Sequence, residues 1–397
     1  MSLKSKVIFL IHVLGAAIFL APVASLAQVE QPVASPEIET LAEQLELYVM
    51  PRSGPFRPDQ ITIAQQAMIT AWARSGHADA QAEAFVHWNA EGEIPPACAT
   101  CHSGAGFRAF HGLDGSTPGL PQSPMPTGGV VDCATCHDPN LGSVAEIRMP
   151  SGVMHPVSTT AETACLTCHQ GRASGAQVAQ TTGERPADTP DPALSFVNPH
   201  YAVAAATWLG GYGGGGYHYS GRDYSGRFFH ARPVATCVSC HEPHSLDVVE
   251  ETCRTCHENG TPSEIRIARQ SFDGSGNTGQ GISVDIANNA ARLMSLMQDY
   301  AAAVAGTGLL YDGARYPYFF ADANGDGQPD QANGRTVAFN AWTPRLLQAA
   351  YNWKFVTADP GAYAHNPHYS LELIYDSIED LAGALGQDMS AWNLRRR

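Results

Sequence analysis

The last third of the chain carries apolar residues at alternating steps of four and three. These positions run from Ile286 to Val304 and stop before Gly306, as in an amphipathic helix. Thr343-Pro344 and Asn366-Pro367 each combine a capping side chain with proline at the first helical position. The apolar positions of the two helices that follow are Leu347, Ala350 and Tyr351, then Leu371, Ile374, Ile378 and Leu381. The pattern predicts a helical C-terminal module over residues 258–397.

The region before residue 98 also has helical periodicity. Ser35 is a plausible cap, and the apolar positions after it are Ile38, Leu41, Leu45 and Tyr48. Two further helices are predicted over residues 59–74 and 78–88. We therefore expect an N-terminal helical segment over residues 28–97.

The first residues have the pattern of an export signal. Lys4 and Lys6 precede an apolar run over residues 7–20, and a small-residue cleavage pattern ends at Ala27. The apolar run is shorter than the ~20 residues that a membrane-spanning helix needs. The pattern predicts a signal peptide over residues 1–27 that is removed after export. The alternative is an uncleaved membrane anchor.

Ten cysteines form five pairs, each with two residues between its members and a histidine directly after it. This spacing is the attachment signature of haem c, because two thiols add to the two vinyl groups and the adjacent imidazole reaches the iron. The motifs are Cys98/Cys101/His102, Cys133/Cys136/His137, Cys165/Cys168/His169, Cys237/Cys240/His241 and Cys253/Cys256/His257. Disulfides and zinc sites are the alternatives, but zinc does not account for a histidine after every pair. The sequence predicts five covalently bound haems c.

The five motifs occupy residues 98–257, which is little chain for five haems, so the porphyrins must supply much of the apolar surface. We expect a multihaem cytochrome c fold that is mainly α-helical, with extensive irregular loops around the haems and a haem-free C-terminal helical module. The proline-rich segment over residues 171–192 is predicted to be a surface loop. The glycine cluster over residues 210–216 is predicted to be a flexible or tightly turning connection.

The chain has 23 basic and 38 acidic residues and a net charge of −15. A surface of this sign repels phosphate, which argues against nucleic-acid binding. Haem propionates add further negative charge. We therefore expect redox partner proteins that dock through a basic patch.

A second axial ligand on each iron separates electron transfer from catalysis, because an open position binds small molecules and a second histidine closes it. Outside residues 1–27 and the motifs, the chain has ten histidines for five irons. They are His77, His87, His111, His155, His200, His218, His230, His244, His365 and His368. Methionine is the competing ligand, but Met294 and Met297 fall on helical core positions.

Local chemistry favours five of these histidines. His87, His200 and His230 stand beside aromatic residues that suit packing on a porphyrin face. His244 follows His241 across a stiffening proline, so the two imidazoles are expected to face different irons. His365 precedes a predicted helix start, from which a loop can project it into the haem region.

Residues 322–330 match part of a calcium-binding loop. Asp322, Asn324, Asp326 and Asp330 take positions 1, 3, 5 and 9, and Gly327 takes position 6. Position 12 is Asn333, where a bidentate glutamate normally stands. The sequence predicts a structural calcium site, with a turn rich in Asp and Asn as the alternative.

Three stretches resemble exported bacterial polyhaem cytochromes c of the membrane-associated type: residues 84–89, 217–244 and 340–380. The resemblance covers most of the chain after residue 27. It implies bis-histidine haems in an electron-transfer protein, and it favours the distal set His87, His200, His230, His244 and His365. Cytochrome c nitrite reductases also have five haems, but they place lysine in the active-site motif, whereas all five motifs here end in histidine.

These features favour an electron carrier over an enzyme: a periplasmic or cell-envelope cytochrome that transfers electrons through five haems c, mostly or all with two histidine ligands. Membrane association is expected through a donor complex. Two alternatives stay open. One is a multihaem reductase or oxidase with one five-coordinate haem, and the other is a subunit of an extracellular haem filament.

Overall fold

The structure, a computed structural model, describes residues 63–232 and 234–397. The predicted signal peptide and the helix predicted after Ser35 lie outside the described residues. Residues 63–232 and 234–397 all belong to one compact unit. Within these two ranges, no helix combines the length and the apolar character that crossing a membrane requires.

Short helices joined by loops make up the part of the chain that carries the five motifs. Two antiparallel ribbons join them: Glu93–Ile94 (β1) with Met125–Pro126 (β2), and Glu146–Arg148 (β3) with Met154–Pro156 (β4). The helices are α1 (Ile63–Ala73), α2 (Glu83–Val86), α3 (Pro96–His102), α4 (Gly104–Phe110), α5 (Cys133–His137), α6 (Thr160–Cys168), α7 (Gly175–Thr182), α8 (Ala204–Gly213) and α9 (Glu250–Arg254). Single 3-10 turns are Leu141–Ser143, Cys237–Ser239 and Pro262–Glu264.

Two segments differ from the sequence prediction. The helix predicted over residues 78–88 is reduced to α2, because the Asp79 carboxylate accepts the Gln81 N–H at 3.0 Å and holds a turn instead. The surface loop predicted over residues 171–192 contains helix α7. Ser174 caps this helix by accepting the Gln177 N–H at 3.3 Å, and Val178 is fully buried.

Four helices dominate the rest of the chain: α10 (Ile282–Tyr300), α11 (Pro344–Thr357), α12 (Ala362–His365) and α13 (Pro367–Ala384). A π-helical turn, Ala301–Ala305, continues α10 to Gly306, whose φ is +78°. Thr343 Oγ1 accepts the Leu346 N–H and Asn366 Oδ1 accepts the Tyr369 N–H, both at 3.1 Å, so each side chain caps the helix that follows it.

Two more antiparallel ribbons lie between α10 and α11. Leu309–Tyr311 (β5) pairs with Phe319–Ala321 (β6), and Gln331–Ala332 (β7) pairs with Arg335–Thr336 (β8). A final 3-10 turn, Met389–Trp392, follows α13. The candidate calcium loop therefore connects β6 to β7.

The main hydrophobic core crosses residue 258, where the helical module was predicted to begin. Ile147, Leu166 and Leu209 belong to the same buried cluster as Leu293 and Ile374. Helices α10 to α13 and the motif-bearing part therefore share one core. This shared packing brings side chains of the C-terminal helices next to the motifs.

The glycine cluster over residues 210–216 forms a close contact with α11 and α13. Tyr369 Oη accepts the Gly216 N–H at 2.8 Å, and Tyr351 Oη donates to the Gly215 carbonyl at 2.7 Å. A Cβ on Gly216 would lie 2.5 Å from Leu373 Cδ1. These glycines let the backbone approach the two helices closely.

Candidate haem centres

All ten motif cysteines are free thiols. Most of the pairs lie on a helical turn, where a spacing of three places both sulfurs on one side. Among the described residues, no group of three or more His, Cys, Asp or Glu side chains converges as a metal site, in contrast to what a zinc ribbon requires. The thiols stand where the thioether sulfurs of haem c would be. We number the sites by motif, from site 1 at His102 through site 2 at His137, site 3 at His169 and site 4 at His241 to site 5 at His257.

Cys256 differs from the other nine cysteines that were predicted to bind haem. Its side chain is exposed, whereas the other nine are partly buried. The cause is its position: Cys256 follows the end of α9, a helix without a buried residue, and its N–H donates to the Cys253 carbonyl at 3.1 Å in a surface turn. The fold therefore does not enclose Cys256 as it encloses the other motif thiols. Its assignment as an attachment residue stays a prediction that rests on the motif spacing.

Each motif histidine faces one histidine from elsewhere in the chain, at a nearly constant separation. The pairs, with ring-centroid distances and interplanar angles, are His102–His200 (5.9 Å, 79°), His137–His244 (6.1 Å, 10°), His169–His77 (6.4 Å, 38°), His241–His365 (6.2 Å, 36°) and His257–His230 (6.2 Å, 58°). Direct ring stacking does not require such a uniform gap. A group of fixed thickness held between the two rings of each pair would give this constant separation.

The gap matches that of two imidazoles on opposite sides of one iron. Each coordinating nitrogen would lie about 2 Å from the metal and each centroid about 1.1 Å further, which separates the centroids by roughly 6.2 Å. The residues present therefore fit the haem group that the motifs imply. When bound, haem c supplies a one-electron redox centre at each pair.

Hydrogen-bond partners of the Nδ1 atom orient several of these rings. Nδ1 of His102 lies 2.7 Å from the Ala84 carbonyl, and Nδ1 of His169 lies 3.1 Å from the Ala202 carbonyl. The remaining Nδ1 contacts are His241 to the Leu246 carbonyl at 3.3 Å, His244 to Glu242 Oε1 at 3.1 Å, and His365 to both Asp359 carboxylate oxygens at 2.9 Å. A ring that donates from Nδ1 keeps its Nε2 lone pair for a metal.

Burial favours the neutral form, which binds metals, in several of these rings. It lowers the pKa of His200 to about 4 and also lowers the pKa of His77, His102 and His137. His365 differs. Burial disfavours its charged form, but the hydrogen bond and negative charge of Asp359 outweigh this effect and raise the pKa of His365.

The backbone at His200 is also unusual. Its φ is +82°, in the left-handed region that non-glycine residues rarely adopt, and its N–H donates to Asn198 Oδ1 at 2.9 Å. Such a conformation persists only where the surroundings impose it. Here it turns the imidazole toward His102.

The structure places His77, and not His87, opposite a motif histidine. His87 bonds to Glu83 through Nδ1 at 2.7 Å, and its ring lies edge-on to Trp88 at 4.7 Å. Trp88 in turn lies edge-on to His102 at 5.1 Å. The aromatic neighbour that favoured His87 in the sequence therefore packs beside site 1. His77 has no aromatic neighbour in the sequence, which is why local chemistry did not select it.

The other predicted distal histidines, His200, His230, His244 and His365, all lie opposite motif histidines. The remaining four histidines have different neighbours. His111 Nε2 lies 2.9 Å from Thr167 Oγ1, His218 Nε2 lies 2.8 Å from Tyr369 Oη, His155 packs against Trp208, and His368 packs against Phe228.

Site 3 contacts site 1 reciprocally. Cys101 Sγ lies 3.8 Å from the Thr167 carbonyl, and Cys168 Sγ lies 3.9 Å from the Thr100 carbonyl. The hydrogen bond with Cys101, burial and the nearby thiol of Cys136 all raise the pKa of Cys168. Sites 1 and 2 therefore both adjoin site 3.

Site 3 also adjoins site 4: interaction between the Cys165 and Cys237 thiols lowers the pKa of Cys165 and raises that of Cys237. Burial and the nearby Cys253 raise the pKa of Cys240, which places site 5 beside site 4. The contacts connect sites 1, 3, 4 and 5 in that order and attach site 2 to site 3. This spatial order differs from the order of the motifs along the chain.

The candidate calcium loop is a series of Asx turns. Asp322 accepts the N–H groups of Asp326 at 3.0 Å and Gly327 at 3.1 Å, and Asp330 accepts the Ala323 N–H at 2.9 Å. The Asn324 side chain accepts a second bond from the Asp326 N–H at 3.1 Å. The three aspartates, Asp322, Asp326 and Asp330, do not converge as the ligands of one ion.

The relatives found by comparison with known proteins include two cytochromes from Geobacter sulfurreducens. The C-type polyheme cytochrome OmcB is 26% identical over 79% of this chain and 48% of its own length. The C-type polyheme cytochrome OmcC is 27% identical over 80% of this chain and 47% of its own length. The chain thus spans about half the length of the curated relatives it matches. No family model and no solved structure matches the chain. The chain is therefore similar to polyhaem c-type cytochromes over about four fifths of its length.

Proposed function

We propose that this protein is an exported electron carrier with five covalently attached haems c, each held between two histidines. The observation that carries the proposal is the set of five facing rings at 5.9 to 6.4 Å. The proposed ligand pairs are His102/His200, His137/His244, His169/His77, His241/His365 and His257/His230. His77 replaces His87 in the set expected from the sequence.

Two features favour a carrier over a catalyst. A second histidine opposite every motif histidine would fill both axial positions, so no iron would offer a site to a small-molecule substrate. The Nδ1 partners at His102, His169, His241 and His365 would hold these rings in place in both oxidation states. A reductase with one five-coordinate haem would need one motif histidine without such a partner.

We further propose that site 3 is a junction. The thiol contacts support a path through sites 1, 3, 4 and 5, with site 2 as a branch at site 3. Because each thioether sulfur would lie one carbon atom from its porphyrin edge, sulfurs in contact imply macrocycle edges within tunnelling distance. The protein would then collect or distribute electrons at site 3.

The ligand assignment is tested by His77→Ala with His87→Ala as its matched control, since both residues lie in the same short N-terminal segment. A pyridine haemochrome count and electron paramagnetic resonance (EPR) are measured on each purified protein. We expect five low-spin haems in the wild type and in the His87 variant, and one high-spin haem in the His77 variant. A high-spin signal in the wild type, or its appearance on loss of His87 alone, would contradict the proposal.

Location and partners follow from the charge and the export pattern. We propose a periplasmic or cell-envelope location, supported by the signal pattern over residues 1–27. The net charge of −15 supports docking to partner proteins through their basic patches. Association that weakens as salt concentration rises is the expected behaviour.

We also propose that the loop over residues 322–330 binds calcium weakly and stabilises the connection between β6 and β7. Its support is the carboxylate of Asp322, which two loop N–H groups hold in place. With Asn333 at position 12, affinity would fall in the roughly millimolar range of extracellular modules. Millimolar calcium should raise the melting temperature of the wild type and leave that of Asp322→Asn unchanged. An unshifted wild type would refute the proposal.

A further inference from the structure

Lys354 is the single lysine after residue 6 of the chain, and it is buried. It lies on α11, where its Nζ donates to Tyr311 Oη at 2.9 Å. No carboxylate among the described residues forms an ion pair with it. A buried ammonium without an acidic partner is costly for folding, and burial lowers the pKa of Lys354.

The lysine sits beside site 1. Its Nζ is 5.3 Å from the centroid of the Tyr201 ring, which lies 5.0 Å from the ring of His200. These ring contacts place Nζ within roughly 13 Å of the midpoint between His102 and His200, where the iron would lie. A second cation, Arg172, also acts on both histidines, and within residues 63–232 and 234–397 no carboxylate forms an ion pair with it.

Sites 2 and 4 have the opposite electrostatic surroundings. At site 4 the buried Asp359 carboxylate bonds directly to His365. At site 2 the Glu242 carboxylate bonds to His244 at 3.1 Å. Because oxidation adds positive charge at an iron, a nearby fixed cation favours the reduced state and a nearby carboxylate favours the oxidised state.

We propose that these charges give site 1 a higher potential than sites 2 and 4 and so direct electrons from those two sites, through site 3, to site 1. The inference rests on the proposed electron-carrier function and adds a direction to it. In each step one ferrous site is oxidised and its ferric neighbour is reduced, with one electron moved and no proton required. A one-electron donor protein reloads sites 2 and 4, and a one-electron acceptor protein unloads site 1.

Site 1 has its own spectroscopic marker. Its rings are the nearest to perpendicular of the five pairs, at 79°, whereas those of site 2 are almost parallel at 10°. Near-perpendicular axial planes leave two iron d orbitals almost equal in energy and move the ferric EPR signal to larger g. The two sites can therefore be followed separately in one redox titration.

The experiment is an EPR-monitored reductive titration of the complete protein. In the wild type we expect the large-g signal of site 1 to disappear before the site 2 signal. In Lys354→Met, which removes the charge and is one atom shorter, the ratio of reduced to oxidised site 1 at a fixed ambient potential should fall by about tenfold. Lys354→Arg keeps the charge and should behave as the wild type.

Failure of the inference is distinguishable from failure of the proposed function. Haem count and low-spin content, measured on the same samples, report on the function. If five low-spin haems are present but site 1 is not reduced before site 2, or Lys354→Met leaves its ratio unchanged, the direction is wrong. If the methionine variant does not fold, the order of reduction of sites 1 and 2 in the wild type alone tests the proposed direction of electron transfer.

Discussion

Asp359 offers a direct test of how the chain sets the potential of one site. Its carboxylate is 1% exposed and lies 2.9 Å from His365 Nδ1 through either oxygen. Asp359→Asn removes the negative charge but keeps an oxygen that accepts the Nδ1–H. The change therefore isolates the charge from the hydrogen bond that orients the ring.

The size of the effect follows from the distance. The midpoint between the rings of His241 and His365, which are 6.2 Å apart, lies about 7 Å from the carboxylate. At an effective dielectric constant near 20, one unit charge at this distance contributes about 2.4 kcal/mol. For a one-electron couple this corresponds to about 100 mV. Loss of the carboxylate should raise the midpoint potential of site 4 by that amount.

The assay is a spectroelectrochemical titration of the five-haem protein, fitted to five one-electron components. One component should move up by about 100 mV and the other four by less, with site 3 the most affected of these because Asp359 also acts on His169. Glu242→Gln is the matched control, because Glu242 bonds to His244 in the same way but is 40% exposed. Water screening should hold its shift to about 25 mV. Equal shifts in the two variants, or no shift in the first, would refute the reasoning.

Two further predictions concern stability. Asp285 and Arg266 form a buried ion pair with side chains 2% and 5% exposed, so Asp285→Asn should cost about 3–5 kcal/mol of unfolding free energy in urea titrations. Glu250→Gln, which removes an exposed pair, should cost less than about 1 kcal/mol. Burial lowers the pKa of His111 to about 4, so the unfolded chain takes up this proton first. Stability should fall by up to about 3 kcal/mol from pH 6.5 to pH 4, and thermal unfolding of His111→Gln should lack this loss.

The cysteines and the motif histidine of each site can be identified from the sequence because they are adjacent in the chain. The two thiols and the imidazole lie within five residues, because one porphyrin must receive all three. The spacing does not reveal how far the fold encloses each thiol, which is why the exposure of Cys256 could not be read from its motif. The helices of the C-terminal part are similarly local, since Thr343 and Asn366 cap helices whose apolar faces repeat every three or four residues.

The distal half of each site depends on tertiary packing. His200 reaches His102, and His365 reaches His241, across long stretches of chain, so no local rule specifies the pairing. Aromatic neighbours favoured His200 and His230, which face motif histidines, and His87, which does not because Trp88 contacts the motif histidine itself. The sequence predicts a helical module over residues 258–397 but does not specify which of its buried faces meet the motif-bearing part, since a change in motif content does not reveal this.

The paired contacts of Cys101 with Cys168 and of Cys165 with Cys237 have a consequence for assembly. If the chain folded before its haems were attached, these four thiols would lie in two neighbouring pairs in an oxidising compartment. Disulfide bonds between these thiols would block haem attachment at sites 1, 3 and 4. Haem attachment should therefore precede folding, so that each haem is joined to a chain that is still extended.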